Sequence, residues 1–182
     1  MPRSAKLTSF FNIGIRFNQK KKLNGTFQVN IGSLTSQNPD YQYKDDITAT
    51  PNTFFKTSVV SIHYDMAYNF IVKSNYRIFA GLGVGLLRYQ PKDDLDNKLL
   101  DQPETRPDGE TYSNTSAVIP IKIGGTYFLP NNFGLEVQGL MMNPQTDFLD
   151  NISGWGNRDG NDQYFMIQLN MLIPLNLKPG TE

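Results

Sequence analysis

The only histidine in the chain, His63, stands two residues after Ser61 and two before Asp65. Serine, histidine and aspartate together can supply a nucleophile, its general base and the carboxylate that orients the base. The spacing works against that chemistry. On an extended strand, neighbours at i and i+2 point the same way from points about 6–7 Å apart, and no nucleophile elbow or oxyanion loop accompanies them. His63 therefore reads as a hydrogen-bonded interior histidine. A second cluster, Asn157-Arg158-Asp159-Gly160-Asn161-Asp162, imitates a calcium loop but lacks the EF-hand spacing and its distal bidentate glutamate. Gly81, Gly83 and Gly85 recur with a period of two, whereas a dinucleotide fingerprint opens a helix after a strand. Small residues at every second position let a strand pass close to bulky neighbours. No catalytic, metal or cofactor site is expected from these residues, nor an enzyme.

Composition narrows the classes further. The chain has 182 residues, 17 basic against 17 acidic and no cysteine. A neutral chain lacks the basic excess that drives binding to nucleic acid, so none is expected as a partner. Without cysteine there is no disulfide scaffold, thiolate metal site, cysteine nucleophile or thioether lipid anchor. With 38% hydrophobic residues and a mean hydropathy of -0.43, no run approaches the roughly 18 apolar residues of a membrane helix. A membrane β-barrel stays open, because its strands show lipid only half their residues. Residues 1–6 carry no secretory signal pattern.

Seven segments alternate with period two. The clearest is 54–72, where Val60, Ile62, Tyr64, Met66, Tyr68 and Phe70 oppose Ser61, His63, Asp65, Ala67 and Asn69. Segments 7–17, 23–34 and 76–89 repeat the pattern, the last with a glycine face. Then Ala117, Ile119, Ile121 and Ile123 oppose Pro120, Lys122 and Gly124. Phe133, Leu135, Val137 and Met141 oppose Glu136 and Gln138, and Phe165, Ile167, Leu169, Met171 and Ile173 oppose Gln168 and Asn170. The connections alternate in length. Segments 18–22, 73–75 and 130–132 are short, while 35–53, 90–114 and 143–163 are long and polar. Short turns at one end and long loops at the other is the outer-membrane pattern, so the expected fold is an all-β, antiparallel up-and-down transmembrane barrel.

Each segment has one apolar face and one face of glycine, amide and charge. A soluble barrel would carry an outer face rich in Lys and Glu, so the apolar faces are placed outward, on outer-membrane lipid. The expected interior is a polar network including Arg16, His63, Asp65, Lys122, Glu136 and Gln138, with opposite charges roughly balanced. That predicts a plugged barrel and no open pore. Tyr76, Tyr89, Tyr127, Phe128, Phe133 and Tyr164 lie near strand ends, as an interfacial aromatic girdle requires. The acidic run Asp93, Asp94, Asp96, Asp101, Glu104, Asp108 and Glu110 reads as a solvated extracellular loop, with bridging of divalent cations or lipopolysaccharide as its functional alternative. Seven strands do not close an antiparallel bacterial barrel, which uses an even number. The expectation is an eight-stranded barrel with seven strands visible, occupying 1–175, followed by a tail at 176–182. The signal peptide and first strand are expected to precede this sequence.

From about Phe10 onward the chain resembles the PorG-like outer-membrane barrels of Bacteroidota that accompany the type IX secretion machinery. The resemblance rests on Asn69-Phe70, on Phe79-Ala80-Gly81-Leu82-Gly83-Val84-Gly85, on Ile119-Pro120-Ile121, and above all on 146–154. That last element contains Thr146, Asp147, Asp150, Ser153 and Gly154, with Trp155 following. Asp147, Asp150 and Ser153 are expected to order the last loop through side-chain to backbone hydrogen bonds, with Trp155 as a hydrophobic cap. The resemblance implies the outer membrane of a Gram-negative bacterium and contact with periplasmic or membrane subunits of a secretion or gliding complex. Two alternatives stay open: a general small barrel for adhesion or envelope stability, and a soluble lipocalin-like barrel with its apolar faces inward.

Overall fold

The computed structural model describes residues 4–5, 8–19, 21–37, 52–130, 132–152 and 161–175. They form one antiparallel meander. The first strand is interrupted: Ser4–Ala5 (β1) and Phe10–Phe17 (β2) both pair with the same side of Leu23–Gln37 (β3). Phe54–Val72 (β4), Tyr76–Lys92 (β5), Thr115–Phe128 (β6), Gly134–Pro144 (β7) and Tyr164–Leu172 (β8) follow, each beside its predecessor. Counting the interrupted strand once, the seven strands expected from alternation are present in one sheet, curled into a half-barrel. Such strands do not tolerate a one-residue slip, because it would exchange the apolar and polar faces. Among the described residues the register shifts by one between Asn69 and Ile71, and again between β1 and β2 along their shared partner β3.

Every pairing step from β2 to β8 is antiparallel. Six such steps make β2 and β8, the two edges, run in the same direction. Among the described residues no backbone ladder joins them. Side chains nevertheless reach across: the rings of Phe10 and Tyr164 stack with centroids 6.0 Å apart.

The convex face is apolar and the concave face is mixed. In β4 the outward Ile62, Tyr64 and Met66 are exposed, while Ser61, His63 and Asp65 between them are buried. Around the middle of the half-barrel the concave side chains are polar. Toward the long loops they become a hydrophobic cluster of Val59, Leu87, Tyr89, Val118, Leu140, Met142, Tyr164 and Met166, closed from above by Leu149 of the last loop. This corrects the aromatic girdle. Tyr76 and Tyr127 are convex and exposed, but Tyr89, Phe128 and Tyr164 are buried, because each falls on the opposite parity of its strand.

Charge is segregated along the sequence between the long and the short connections. Fourteen of the seventeen acidic residues lie in 38–53, 93–114 and 145–163, against four of the seventeen basic ones. The charged residues of the short turns, Lys20, Lys21, Lys22 and Lys73, are all basic.

Candidate functional site

Two constructed regions deserve the name of site: a polar network on the concave face and a folded cap over the long-loop end. Strand alternation delivers Arg16 from β2, His63 and Asp65 from β4, Lys122 from β6, and Glu136 and Gln138 from β7 to one concave surface. All of these except the partly buried Arg16 are buried. Lys122 Nζ donates to Asp65 Oδ2 at 3.0 Å, reaching over β5, which separates the two strands. The glycine face of β5 makes that possible. Gly81 lies opposite Lys122 and Gly83 opposite Asp65, and a Cβ on Gly83 would fall 2.3 Å from Asp65 Oδ1. A side chain at Gly83 would displace the Asp65 carboxylate, and one at Gly81 would meet the Met66 carbonyl oxygen and Ala67.

From Asp65 the network continues sideways. His63 Nδ1 lies 2.8 Å from Asp65 Oδ1, and His63 Nε2 lies 2.7 Å from Asn30 Nδ2. The Oδ1 of Asn30 accepts from Gln28 and from Gln168, which fixes its amide so that Nδ2 donates to the histidine. His63 then donates through Nδ1 and accepts through Nε2. Ser61 Oγ also takes a hydrogen bond from Asn30 Nδ2, at 3.2 Å. Asn30 thus stands where a serine nucleophile would have to meet its base, and the Ser61, His63, Asp65 sequence serves as a hydrogen-bonded ladder. Gln138 Nε2 donates to Gln168 Oε1 at 2.5 Å, tying β7 to β8.

A second charge pair lies nearer the short turns. The guanidinium of Arg16 grips both carboxylate oxygens of Glu136, with Nη2 to Oε1 at 2.8 Å. Two neutral donors complete the carboxylate, Thr126 Oγ1 at 2.6 Å and Asn170 Nδ2 at 3.1 Å. A bidentate arginine fork with added donors is the arrangement that best offsets the desolvation of a buried pair. Among the described residues the concave face thus holds two cation and anion pairs with amides between them, and nearer the short turns the buried Arg77 lies with its guanidinium 4.5 Å from the Phe128 ring centroid. Among the described residues no group of three or more His, Cys, Asp or Glu side chains is placed to hold a metal ion.

The cap is built around Asn151, which is fully buried and has a left-handed backbone, φ 75°. Asparagine tolerates that conformation far better than branched residues do. Its Oδ1 accepts from Arg106 Nη1 at 3.1 Å and Tyr112 OH at 2.8 Å, while its Nδ2 donates to Thr105 Oγ1 at 2.8 Å and Asn52 Oδ1 at 3.2 Å. Residues from all three long loops therefore meet on one side chain. Arg106 also donates to the carbonyls of Leu99, Leu100 and Glu110, stapling the 93–114 loop, which holds two 3-10 turns, Leu99–Asp101 and Pro103–Thr105. Tyr89, Tyr112 and Phe148 stack in series, with centroids 6.1 and 4.7 Å apart. Burial pushes the Tyr112 hydroxyl far above the ordinary tyrosine range, although Arg106 opposes the shift, so it remains a donor to Asn151. In the acidic run, Asp93 turns its carboxylate inward on its own loop. It accepts from Gln102, Asn97 and the Leu95 amide, and these bonds, led by Gln102, hold its pKa below the usual carboxylate value.

The last-loop motif contributes directly to this cap. Thr146 Oγ1 meets Tyr89 OH at 3.0 Å, Asp150 Oδ1 caps the Ile152 amide at 3.1 Å, and the carbonyl of Asp150 accepts from Asn52. Asp147 lies partly buried in the same loop. Ser153, Gly154 and Trp155, and most of the calcium-like run, lie outside the described residues. Sequence reading missed Asn52, Thr105, Arg106, Tyr112 and Asn151 as a unit. The one available signal was a central asparagine in a loop, a residue type suited to positive φ. No family model matches this chain, and no curated protein or solved structure matches it either.

Proposed function

We propose that this protein is a non-enzymatic outer-membrane β-barrel with a plugged interior, acting as a component or accessory of a type IX secretion or gliding apparatus. The observation that carries the membrane reading is the convex face. Its exposed residues include Phe11, Ile13 and Ile15 of β2, Phe27 and Ile31 of β3, Ile62 and Tyr64 of β4, Leu82, Val84 and Leu86 of β5, Ile121 and Ile123 of β6, Leu135 and Val137 of β7, and Phe165, Ile167 and Leu169 of β8, so the apolar surface crosses every one of these strands without an intervening charge. Soluble monomers rarely expose more than a few hundred Å² of contiguous apolar surface. Along β4 the outward positions from Val60 to Phe70 span about 33 Å of strand, which at a tilt of about 40° gives a band about 25 Å tall. That is the height of the apolar belt of outer-membrane barrels.

The plugged interior argues for a scaffold or docking role over transport. One further strand, antiparallel to both edges, would close the sheet between β2 and β8 and bring the count to eight. The assignment to a secretion apparatus rests on the resemblance. Because Thr146, Asp150 and Asn151 are engaged within the cap, partner contact is assigned to other surfaces, with the short-turn end facing the periplasm.

Fractionation of the native cell is expected to place the protein in the outer membrane, resistant to carbonate extraction and folded only with lipid or detergent. Reconstituted in a planar bilayer, it is expected to show no steady conductance. A chain that stays folded and monomeric without detergent would sink the membrane reading in favour of a soluble binding barrel. Co-purification with periplasmic ring subunits tests the apparatus. Its absence from native membranes would leave a general envelope barrel.

A further inference from the structure

Among the described residues a groove of about 650 Å³ lies on the convex face at the short-turn end of β5 to β8. Tyr76, Tyr127, Leu135 and Met171 form one cross-strand row, and Ile78, Gly125, Val137 and Leu169 form the next. The groove exists because Gly125 supplies no side chain to the second row. Two other glycines, Gly25 and Gly139, occupy convex positions on their strands, and each is covered by a ring, of Tyr64 and of Phe165 respectively. Gly125 has no such cover: a Cβ there would meet only the Arg77 carbonyl oxygen, at 3.5 Å. The volume lies within the roughly 300–1,000 Å³ of ordinary ligand sites.

The groove is also polar at one end. The phenol rings of Tyr76 and Tyr127 are exposed at its rim. The adjoining turn carries Lys73, whose backbone amide donates to the Tyr76 carbonyl at 2.9 Å. An apolar trough ending in two phenols beside a turn that carries a lysine has the amphipathic order of a phospholipid, whose anionic headgroup basic residues at a membrane surface attract. We propose that the groove beside Gly125 seats one acyl chain of a phospholipid whose phosphate lies at Lys73. This rests on the outer-membrane reading and gives the belt one defined lipid position.

Native mass spectrometry of the protein released from its own membranes into mild detergent tests this. The unaltered chain is expected to retain one phospholipid. Gly125→Leu, and Gly125→Val should the larger residue prevent folding, is expected to reduce the retained fraction at least about tenfold, a loss of about 1.4 kcal/mol of binding. Lys73→Gln is expected to weaken retention selectively for anionic lipid. Ala80→Leu, which adds as many carbons as Gly125→Val elsewhere on the convex face, is expected to leave retention unchanged. Equal retention in all variants, indifference to Lys73→Gln, or a bound peptide in place of lipid would each overturn the proposal. Failure of the membrane reading itself would appear separately, as absence of the protein from the membrane fraction.

Discussion

Replacing Asp65 with alanine is expected to cost the fold about 3–5 kcal/mol, the range for removing one partner of a buried pair. Lys122 and Asp65 are 2% and 1% exposed, so no solvent reaches the ammonium once its carboxylate is gone. His63 Nδ1 loses its acceptor at the same stroke. The cost arises from leaving a charge and a donor unpaired in a low-dielectric interior, and only secondarily from the lost attraction. It follows that the double variant Asp65→Leu with Lys122→Met recovers most of the loss, because no uncompensated charge remains. Urea unfolding of the refolded protein in lipid vesicles gives both numbers. A midpoint for the alanine variant indistinguishable from the unaltered protein would refute the buried pair as an organising contact. A double variant no better than the single would show that the ladder through His63 carries the energy.

Asn151→Val is expected to open the cap while leaving the strands in place. The substitution removes four hydrogen bonds, at about 1 kcal/mol each, and forces a β-branched residue into φ 75°, worth about 1–3 kcal/mol of strain. The cap has no other centre that joins Asn52, Thr105, Arg106 and Tyr112. Limited proteolysis on intact cells is therefore expected to cut within 93–114 in the variant and not in the unaltered protein. Heat-dependent migration of the folded barrel on a gel is expected to persist. Cleavage unchanged by the substitution would show that the stacked Tyr89, Tyr112 and Phe148 hold the cap without Asn151.

Much of this architecture was legible because strand periodicity is a local property. Ile62, His63 and Tyr64 announce two faces without reference to any other strand, and the glycines of β5 announce which face is crowded. The polar residues assigned to the interior, from Arg16 to Gln138, follow from the same rule. Their partners do not. That Lys122 meets Asp65 and Arg16 meets Glu136 depends on register and on how tightly the sheet curls, and those pairs lie 57 and 120 residues apart. Tyr89, Phe128 and Tyr164 show a different limit. Placing an aromatic near a strand end says nothing of its side of the sheet unless parity is counted from a fixed residue. The cap was least legible of all, because loops without periodicity reveal their contacts only when three of them are brought together.

The separation of acidic loops from basic turns gives a molecule of zero net charge a permanent moment along the barrel axis. In a membrane, the setting proposed above, all copies would point the same way, so neighbouring moments would lie side by side and parallel, the repulsive arrangement. Salt confines this to a Debye length of about 8 Å, short enough that it acts only when loops of adjacent copies nearly touch. Lateral crowding in that setting would be opposed at the long-loop end, and a body with a positive face turned toward the loops, or a layer of divalent ions between them, would reverse the sign.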